Sequence, residues 1–502
     1  MRKKFPSSVY NPISLLGTII ALVNFVAILA IVTYDFFLGP LAAYVGIITF
    51  IILPSLLFLG LILIPLGAAL ERRRRGQASD DVKPRSFYFD LSLPAHRRAA
   101  IVFLSGTAIF LVATALGSYR AYEFTESVTF CGQICHTVME PEFTAYQYSP
   151  HARVTCAECH VGEGADWYVK SKLSGAYQVY AASFDLFPRP IPTPIENLRP
   201  ARETCEQCHW PDKFHGSQEK TFRHYMVDEA NTPWEIRLLI KTGGGSRNAG
   251  IAEGIHWHMN IANEIDYIAI DKQRQEIGWV RIKDLEGNVR EYTNELNPIA
   301  SEDLGNYEMR RMDCIDCHNR PTHIYQSPSR AMNNAFTAEW IDTTLPSAKR
   351  IGIESLIGEY TTKDSAFVSI EKQILDAYKN EYPEILEERS DDVGELVSAV
   401  KEIYRRNFFP EMKVRWDVYP DNIGHFNSPG CYRCHNGYFV SDAGDTISND
   451  CNSCHTILSQ GNGSAGEELI SPMGLEFKHP VDIEEAWKEM ACSECHTGTS
   501  QL

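Results

Sequence analysis

The chain has no cysteine to spare: all 14 fall in seven units of the form Cys, two or three residues, Cys, His. That leaves none for a disulfide framework, and it argues against zinc, which has no need of a His after every second Cys. His is also missing from the three long apolar stretches at the front of the chain, which removes the usual axial ligand for a haem inside a bilayer. Positive charge is short, with 47 Lys and Arg against 64 Asp and Glu and a formal net charge of −17. Such a surface disfavours nucleic acid and suits a basic redox partner, although acidity serves solubility equally well.

What is present is the attachment chemistry of c-type haem. Two thiols add across the vinyl groups and the following His takes the iron from one face. In chain order the units are Cys131/Cys135/His136, Cys156/Cys159/His160, Cys205/Cys208/His209, Cys314/Cys317/His318, Cys431/Cys434/His435, Cys451/Cys454/His455 and Cys492/Cys495/His496. The first carries one extra residue between its thiols, a less common spacing. Seven covalently bound haem c groups are expected, numbered here by motif.

The apolar stretches 13–33, 41–70 and 99–118 each approach or exceed the ~20 residues a bilayer requires, and Pro54 and Pro65 in the second are tolerated in lipid as kinks. Arg2, Lys3 and Lys4 precede the first; Arg72 to Arg75, Lys83, Arg85, Arg97 and Arg98 follow the second. The 34–40 connector has one charge, Asp35. Basic segments stay inside, so the N-terminus and the 71–98 loop are assigned to the cytoplasm and everything after Gly117 to the periplasm of a bacterial inner membrane. Two further spans and the lack of a small-residue cleavage site argue against a signal peptide. Asn24 reads as a helix–helix contact and His96 as a solvated loop residue.

The expected fold is mainly α: three transmembrane helices plus a haem-packed periplasmic multihaem cytochrome c domain with a small β-hairpin insertion. Residues 1–119 form the anchor, and 120–330 a four-haem module with an insertion at 225–313. That insertion holds a Gly243–Gly245 turn and a hairpin, Trp279 to Tyr292, folded back through Glu286-Gly287-Asn288. Residues 331–420 read as a helical spacer with amphipathic runs Ile370–Tyr378 and Val393–Tyr404. Residues 421–502 carry the last three haems, with Ser459–Ser464 as a surface loop.

The stretch from Ala99 to about His323 resembles the NapC/NirT/NrfH group of membrane-anchored tetrahaem quinol dehydrogenases. The shared marks are an apolar helix leading directly into the first motif, a Met soon after its His, the element Tyr146-x-x-Ser149-x-His151, and a fourth motif followed five residues later by His323. Three apolar segments and seven motifs look more like the larger inner-membrane cytochromes of metal-reducing bacteria. The resemblance implies Met139 as a ligand of haem one. It stands three residues after His136 where the family commonly has two, so His136 and Met139 are both candidates, and a packing Met is the bland alternative. It also implies His151 and His323 as ligands crossing to other haems, and Lys172 for haem two, with a surface lysine an equal alternative. Met139 and Lys172 would then border a menaquinol site near haem one. Glu140, Glu142, Glu163 and Asp166 are candidate proton acceptors there; the family's own acid has no match, its place falling near Val179.

The remaining irons draw on His215, His224, His256, His258, His425 and His479. His425, six residues before Cys431, and His479, in an apolar setting, are the first choices, followed by His224 and one of His256 and His258. The function implied is oxidation of menaquinol and transfer of electrons to periplasmic c-type cytochromes, towards extracellular or metal acceptors; a homo-oligomer stays open. Two rivals are a passive conduit fed by a partner subunit and a terminal reductase for nitrite or hydroxylamine. The latter needs an open iron, often marked by Lys in place of the motif His, and all seven motifs keep His.

Overall fold

A computed structural model describes residues 11–38, 52–76, 91–134, 136–162, 164–195, 199–214, 216–244, 254–259, 263–284, 286–462, 469–471 and 473–499. The chain divides into two compact units, Met1–His136 and Thr137–Leu502.

In the first unit, α1 (Pro12–Leu38) and α2 (Leu53–Gly76) are long and apolar enough to cross a membrane. Most of the expected 41–70 stretch is α2; residues 41–51 and 77–90 lie outside the described residues, and the expected 71–98 loop is shorter than its bounds, since 71–76 continue α2 and 94–98, with His96, begin the helix Pro94–Glu126. The two helices pack backbone to backbone. A Cβ on Gly60 would lie 2.7 Å from the Ala21 nitrogen, and one on Gly17 would lie 2.7 Å from the Gly60 carbonyl. Small residues allow this approach where lipid supplies no hydrophobic drive. Ser14 Oγ adds a hydrogen bond to the Ile64 carbonyl at 2.8 Å, and the Asn24 amide donates to Ile20 O of its own helix. Helix α3 (Pro94–Glu126) starts with Pro at its first turn, as an unpaired N–H position allows, and exposes Leu104, Ile109, Leu111 and Leu116. It ends where Ser127 caps it, its N–H and Oγ both reaching Phe124 O. The π turn Phe130–Ile134, carrying Cys131, follows. A π turn holds one residue more than an α turn, which suits the longer spacing of the first motif; Cys135 itself lies outside the described residues.

Helix α4 (His136–Gln147) lies in the second unit from its second residue on, followed by α5 (Cys156–His160), α6 (Ala165–Ser183) and α7 (Ala201–Cys205). Strands β1 (Gln218–Tyr225) and β2 (Pro233–Ile240) follow, then a 3-10 turn Ile255–Met259, β3 (Glu264–Ala269), β4 (Ile277–Lys283), β5 (Val289–Asn294), β6 (Met309–Arg311) and α8 (Cys314–Cys317). Helices α9 (Pro328–Thr337), α10 (Ala348–Leu356), α11 (Lys363–Glu381), α12 (Pro383–Glu388) and α13 (Ser390–Asn407) form a bundle. The chain closes with β7 (Phe439–Ser441), β8 (His455–Gly461), β9 (Leu469–Ile470) and α14 (Cys492–Cys495).

The bundle supplies the largest apolar core. On α11 the residues Ile370, Ile374 and Tyr378 recur one turn apart and are fully buried; on α13 Val393, Leu396, Val400 and Ile403 do the same against them. Thr362 and Ser327 cap the starts of α11 and α9 through their side chains.

Sheet content exceeds the small hairpin expected. The β4/β5 hairpin is there, turning at Gly287 with φ +86°, but it is the centre of a five-stranded antiparallel sheet ordered β6-β3-β4-β5-β7. A second sheet is ordered β1-β2-β8-β9. Both take strands from the last eighty residues: β7 pairs with β5, and β8 with β2 in the register Ile236↔Gln460. The expected Ser459–Ser464 loop is in consequence partly strand, with Ser459 and Gln460 only 1 % exposed. Gln460 satisfies its buried amide on Glu476 O and Lys478 N. The composition of this stretch is loop-like; its distant partner β2 decides its conformation.

Candidate functional site

The Cys-x-x-Cys-His motifs of the second unit fold as single helical turns. The His amide N–H closes the turn on the first Cys carbonyl, at 2.8 Å in His209, His318 and His496 and at 3.0 Å in His435. One turn brings residues three apart to the same face, so both sulphurs present together and the His follows beside them.

The thiols are less enclosed than a haem-packed domain leads one to expect. Cys159, Cys208, Cys317, Cys451 and Cys495 are exposed, while Cys131, Cys156, Cys205, Cys314, Cys431, Cys434, Cys454 and Cys492 are half-buried. Cys208 is one that departs from an enclosed cofactor-binding position. It lies beyond Cys205, the last residue of α7, in a turn where Gln207, His209 and Trp210 are exposed as well. The physical reason is that α7 is only five residues long, so no second turn of helix shelters the end of the motif. The Cys208 backbone is nonetheless fixed, its N–H donating to Cys205 O at 3.1 Å, and its thiol lies near enough to Cys159 to raise the pKa of that group. A porphyrin bonded to Cys205 and Cys208 would itself cover this open side, so exposure of the protein atoms is compatible with thioether attachment there.

Each of the six motif imidazoles in this unit faces a second imidazole from elsewhere in the chain. Ring centres lie 6.2 Å apart for His160 and His323, 5.9 Å for His209 and His151, and 6.3 Å for His318 and His256. They lie 5.8 Å apart for His435 and His258, 6.3 Å for His455 and His425, and 6.0 Å for His496 and His479. Two imidazoles bound across one iron stand about 6 Å apart, from two metal–nitrogen bonds of about 2 Å and about 1 Å from each nitrogen to its ring centre. The chain therefore offers axial donor pairs at the spacing haem iron needs.

The outer ring nitrogens support the same role. Nδ1 of His256, His258, His323 and His479 lies 2.6 to 3.1 Å from a backbone carbonyl, and that of His151 at 3.4 Å. A ring whose Nδ1–H is engaged this way turns an Nε2 lone pair towards the metal. Burial lowers the pKa of His160, His258, His318, His323, His425, His455 and His496, keeping these imidazoles neutral as metal binding requires.

Space for the group is visible at the fifth motif. A cavity of about 530 Å³ is lined by His258, His435, Cys434, Trp257, Val280 and Tyr292, against the five-stranded sheet. Motifs also adjoin one another. The Cys205 and Cys314 thiols are close enough to shift one another's pKa, and Cys159 feels the charge of Cys205, as Cys317 does that of Cys431. His256 and His258 share one 3-10 turn and so tie the fourth motif to the fifth. Tyr432, inside the fifth motif, stacks on His425 at 4.4 Å.

The sequence points to one of His256 and His258; the structure brings both opposite motif imidazoles, a pairing that the His-x-His spacing could have suggested. His224 is brought to none. It lies against Phe426 and near the amide of Asn333, and burial, with the charge of Lys349, pushes its pKa down to about 4. Lys172 sits over the Tyr168 ring, and it is His323 that faces His160. Met139 is half-buried on α4, one turn beyond His136. His215 and Glu163 lie outside the described residues. Of the candidate acids, Glu140 pairs with Lys363 at 2.7 Å and Glu142 with Arg320 at 3.2 Å, while Asp166 is exposed in the first turn of α6.

Residues 94–190 match the NapC/NirT cytochrome c family, N-terminal region. The chain is also similar to the cytochrome c-type protein ImcH of Geobacter sulfurreducens, 44% identical over 503 residues that cover 99% of this chain and 97% of the relative. No solved structure matches it.

Proposed function

Because this chain belongs to the NapC/NirT cytochrome c family, and so binds haem c covalently in a membrane-associated electron-transfer protein, we propose that it is a seven-haem menaquinol dehydrogenase of the inner membrane. It passes electrons to periplasmic c-type cytochromes, towards extracellular or metal acceptors. The observation that carries this reading is the set of six imidazole pairs near 6 Å. His323, His151, His256, His258, His425 and His479 are then the distal ligands of haems two to seven in that order, which leaves none of these irons open for a terminal reductase.

Haem one differs. Its motif begins at Cys131, shortly after Glu126 ends α3, which we take as a third membrane span, and its candidate ligands His136 and Met139 lie on one turn of α4. A thioether ligand raises haem potential relative to a second imidazole, which fits the site that first accepts electrons from quinol. When bound, haem c supplies one-electron chemistry at the iron. The chain's own residues hold that iron, shield it, and take up the proton that quinol gives off. With Glu140 and Glu142 engaged in ion pairs, Asp166 is our choice for that proton. The C-terminal motifs, on an acidic chain, form the exit side.

The test is anaerobic reduction of the purified, haem-loaded chain by a menaquinol analogue, with Met139→Leu as comparison. We expect rapid reduction that the variant slows. Reduction by dithionite but not by quinol would leave the passive conduit as the answer.

A further inference from the structure

His323 has surroundings that set it apart from the other distal imidazoles. Its Nδ1 lies 3.1 Å from a carboxylate oxygen of Glu142 and 3.1 Å from the Glu142 backbone carbonyl. Among the described residues, Nδ1 of His151, His256, His258 and His479 meets backbone groups instead. The Glu142 carboxylate is bracketed by Arg320, whose Nη2 lies 3.2 Å from both oxygens. Arg320 is held firmly: its side chain is 8 % exposed, its Nε donates to the His323 carbonyl at 2.6 Å, and its guanidinium lies over the rings of Tyr419 and Tyr325 at 4.4 and 5.1 Å. One anion and one cation are thus fixed within a residue's reach of a single axial ring.

The two charges act on that iron in opposite directions. A carboxylate that accepts the Nδ1–H makes Nε2 a stronger donor and favours the ferric state. A nearby cation favours the ferrous state, and low local dielectric makes both effects larger than in water. We propose that Glu142 and Arg320 are positioning residues that together set the potential of haem two through His323, Glu142 lowering it and Arg320 raising it. The proposal rests on the reading of His323 as the ligand opposite His160. It also removes Glu142 from the candidate acceptors of quinol protons, because its carboxylate is already committed to Arg320 and His323.

Redox titration of the full-length haem-loaded protein, followed by EPR and visible spectroscopy, tests the pair. Glu142→Gln should raise the potential of one low-spin haem by at least tenfold in its electron equilibrium, which is 59 mV for one electron. Arg320→Gln should lower the same haem by a similar factor, Arg320→Lys should stay close to the parent, and all three should keep the haem low-spin. Titrations that leave every haem within threefold of the parent, or that move one haem the same way in Glu142→Gln and Arg320→Gln, overturn the proposal. If Glu142→Gln fails to load haem, the contrast between Arg320→Gln and Arg320→Lys decides alone. His323→Ala separates the premise from the inference. One haem turning high-spin in that variant upholds the ligand, so silent charge variants then defeat only the charge pair; no change in spin state removes the ligand and the proposal together.

Discussion

His224 provides a quantitative check on the six imidazole pairs, because it is a candidate imidazole that the fold places opposite no motif His. Asn333 Oδ1 accepts from the Tyr225 N–H at 3.1 Å, which fixes the amide so that its NH2 group lies 3.5 Å from His224 Nδ1. Nδ1 is therefore presented to a donor, the reverse of the carbonyl-facing arrangement in the proposed ligands, and the proton resides on Nε2. Burial first, then the charges of Lys349 and His496, lower the pKa from 6.5 to about 4. The folded-state value lies below the unfolded one, so the unfolded chain takes up the proton first. Stability is therefore unaffected above pH 6.5, falls as pH drops, and levels off below pH 4. The loss approaches about 1.4 kcal/mol per pH unit and amounts to about 2.5 kcal/mol by pH 4.5. His224→Leu abolishes this dependence. Guanidinium unfolding of the haem-loaded protein, followed by far-UV circular dichroism at pH 7.5 and 4.5, should show the variant gaining about 2.5 kcal/mol on the parent between the two conditions. The packing cost of the substitution cancels in that difference. An equal gap at both pH values refutes the buried neutral imidazole, and loss of a low-spin haem signal would make His224 a ligand and break the pairing scheme.

Replacing His479 by Ala should convert one haem, the seventh, to a high-spin form while the other six keep their spectra; a spectrum without a high-spin signal would show that His479 is no ligand. Gly60→Val should weaken the α1–α2 pair, because its Cβ would meet Ala21 backbone at 2.7 Å; overpacking of this kind costs about 1–3 kcal/mol, and a thermal extraction profile identical to the parent's would show the contact to be slack. Electron transfer to a basic periplasmic cytochrome should slow as salt rises, since steering by an acidic chain is screened over roughly 10 Å at 0.1 M. A rate independent of salt would mean that docking does not use this charge.

The haem motifs are legible in the sequence because their chemistry is contiguous: two thiols and an imidazole within one turn need no tertiary partner to be recognised. How far each thiol is enclosed is not legible in the same way, since the exposure of Cys208 follows from how short α7 is and from what packs around it. The bundle core is legible for a related reason, as Ile370, Ile374 and Tyr378 repeat with the helix period and are buried together. The sheets are not, since β8 becomes a strand by pairing with β2 more than two hundred residues earlier, and Ser459 and Gln460 carry no strand pattern of their own. The same threading means that the C-terminal haem region cannot be cut off at Asp421 without removing β7 and β8 from both sheets, so point variants are the better probe of the exit side. Distal ligands are intermediate. Composition narrows them to a few His residues, but only the fold shows that His256 and His258 each meet a motif imidazole and that Asn333 turns its donor towards His224.

We propose that six irons are held between imidazoles while the haem next to the membrane is held differently. Low-temperature EPR and near-infrared magnetic circular dichroism of the fully oxidised, full-length protein, with the haem count fixed by intact mass, test it most directly. We expect seven haems, six with bis-imidazole charge-transfer bands and one with a distinct signature that changes in Met139→Leu. A count below seven, a native high-spin haem among the last six, or seven equivalent bis-imidazole haems would contradict it.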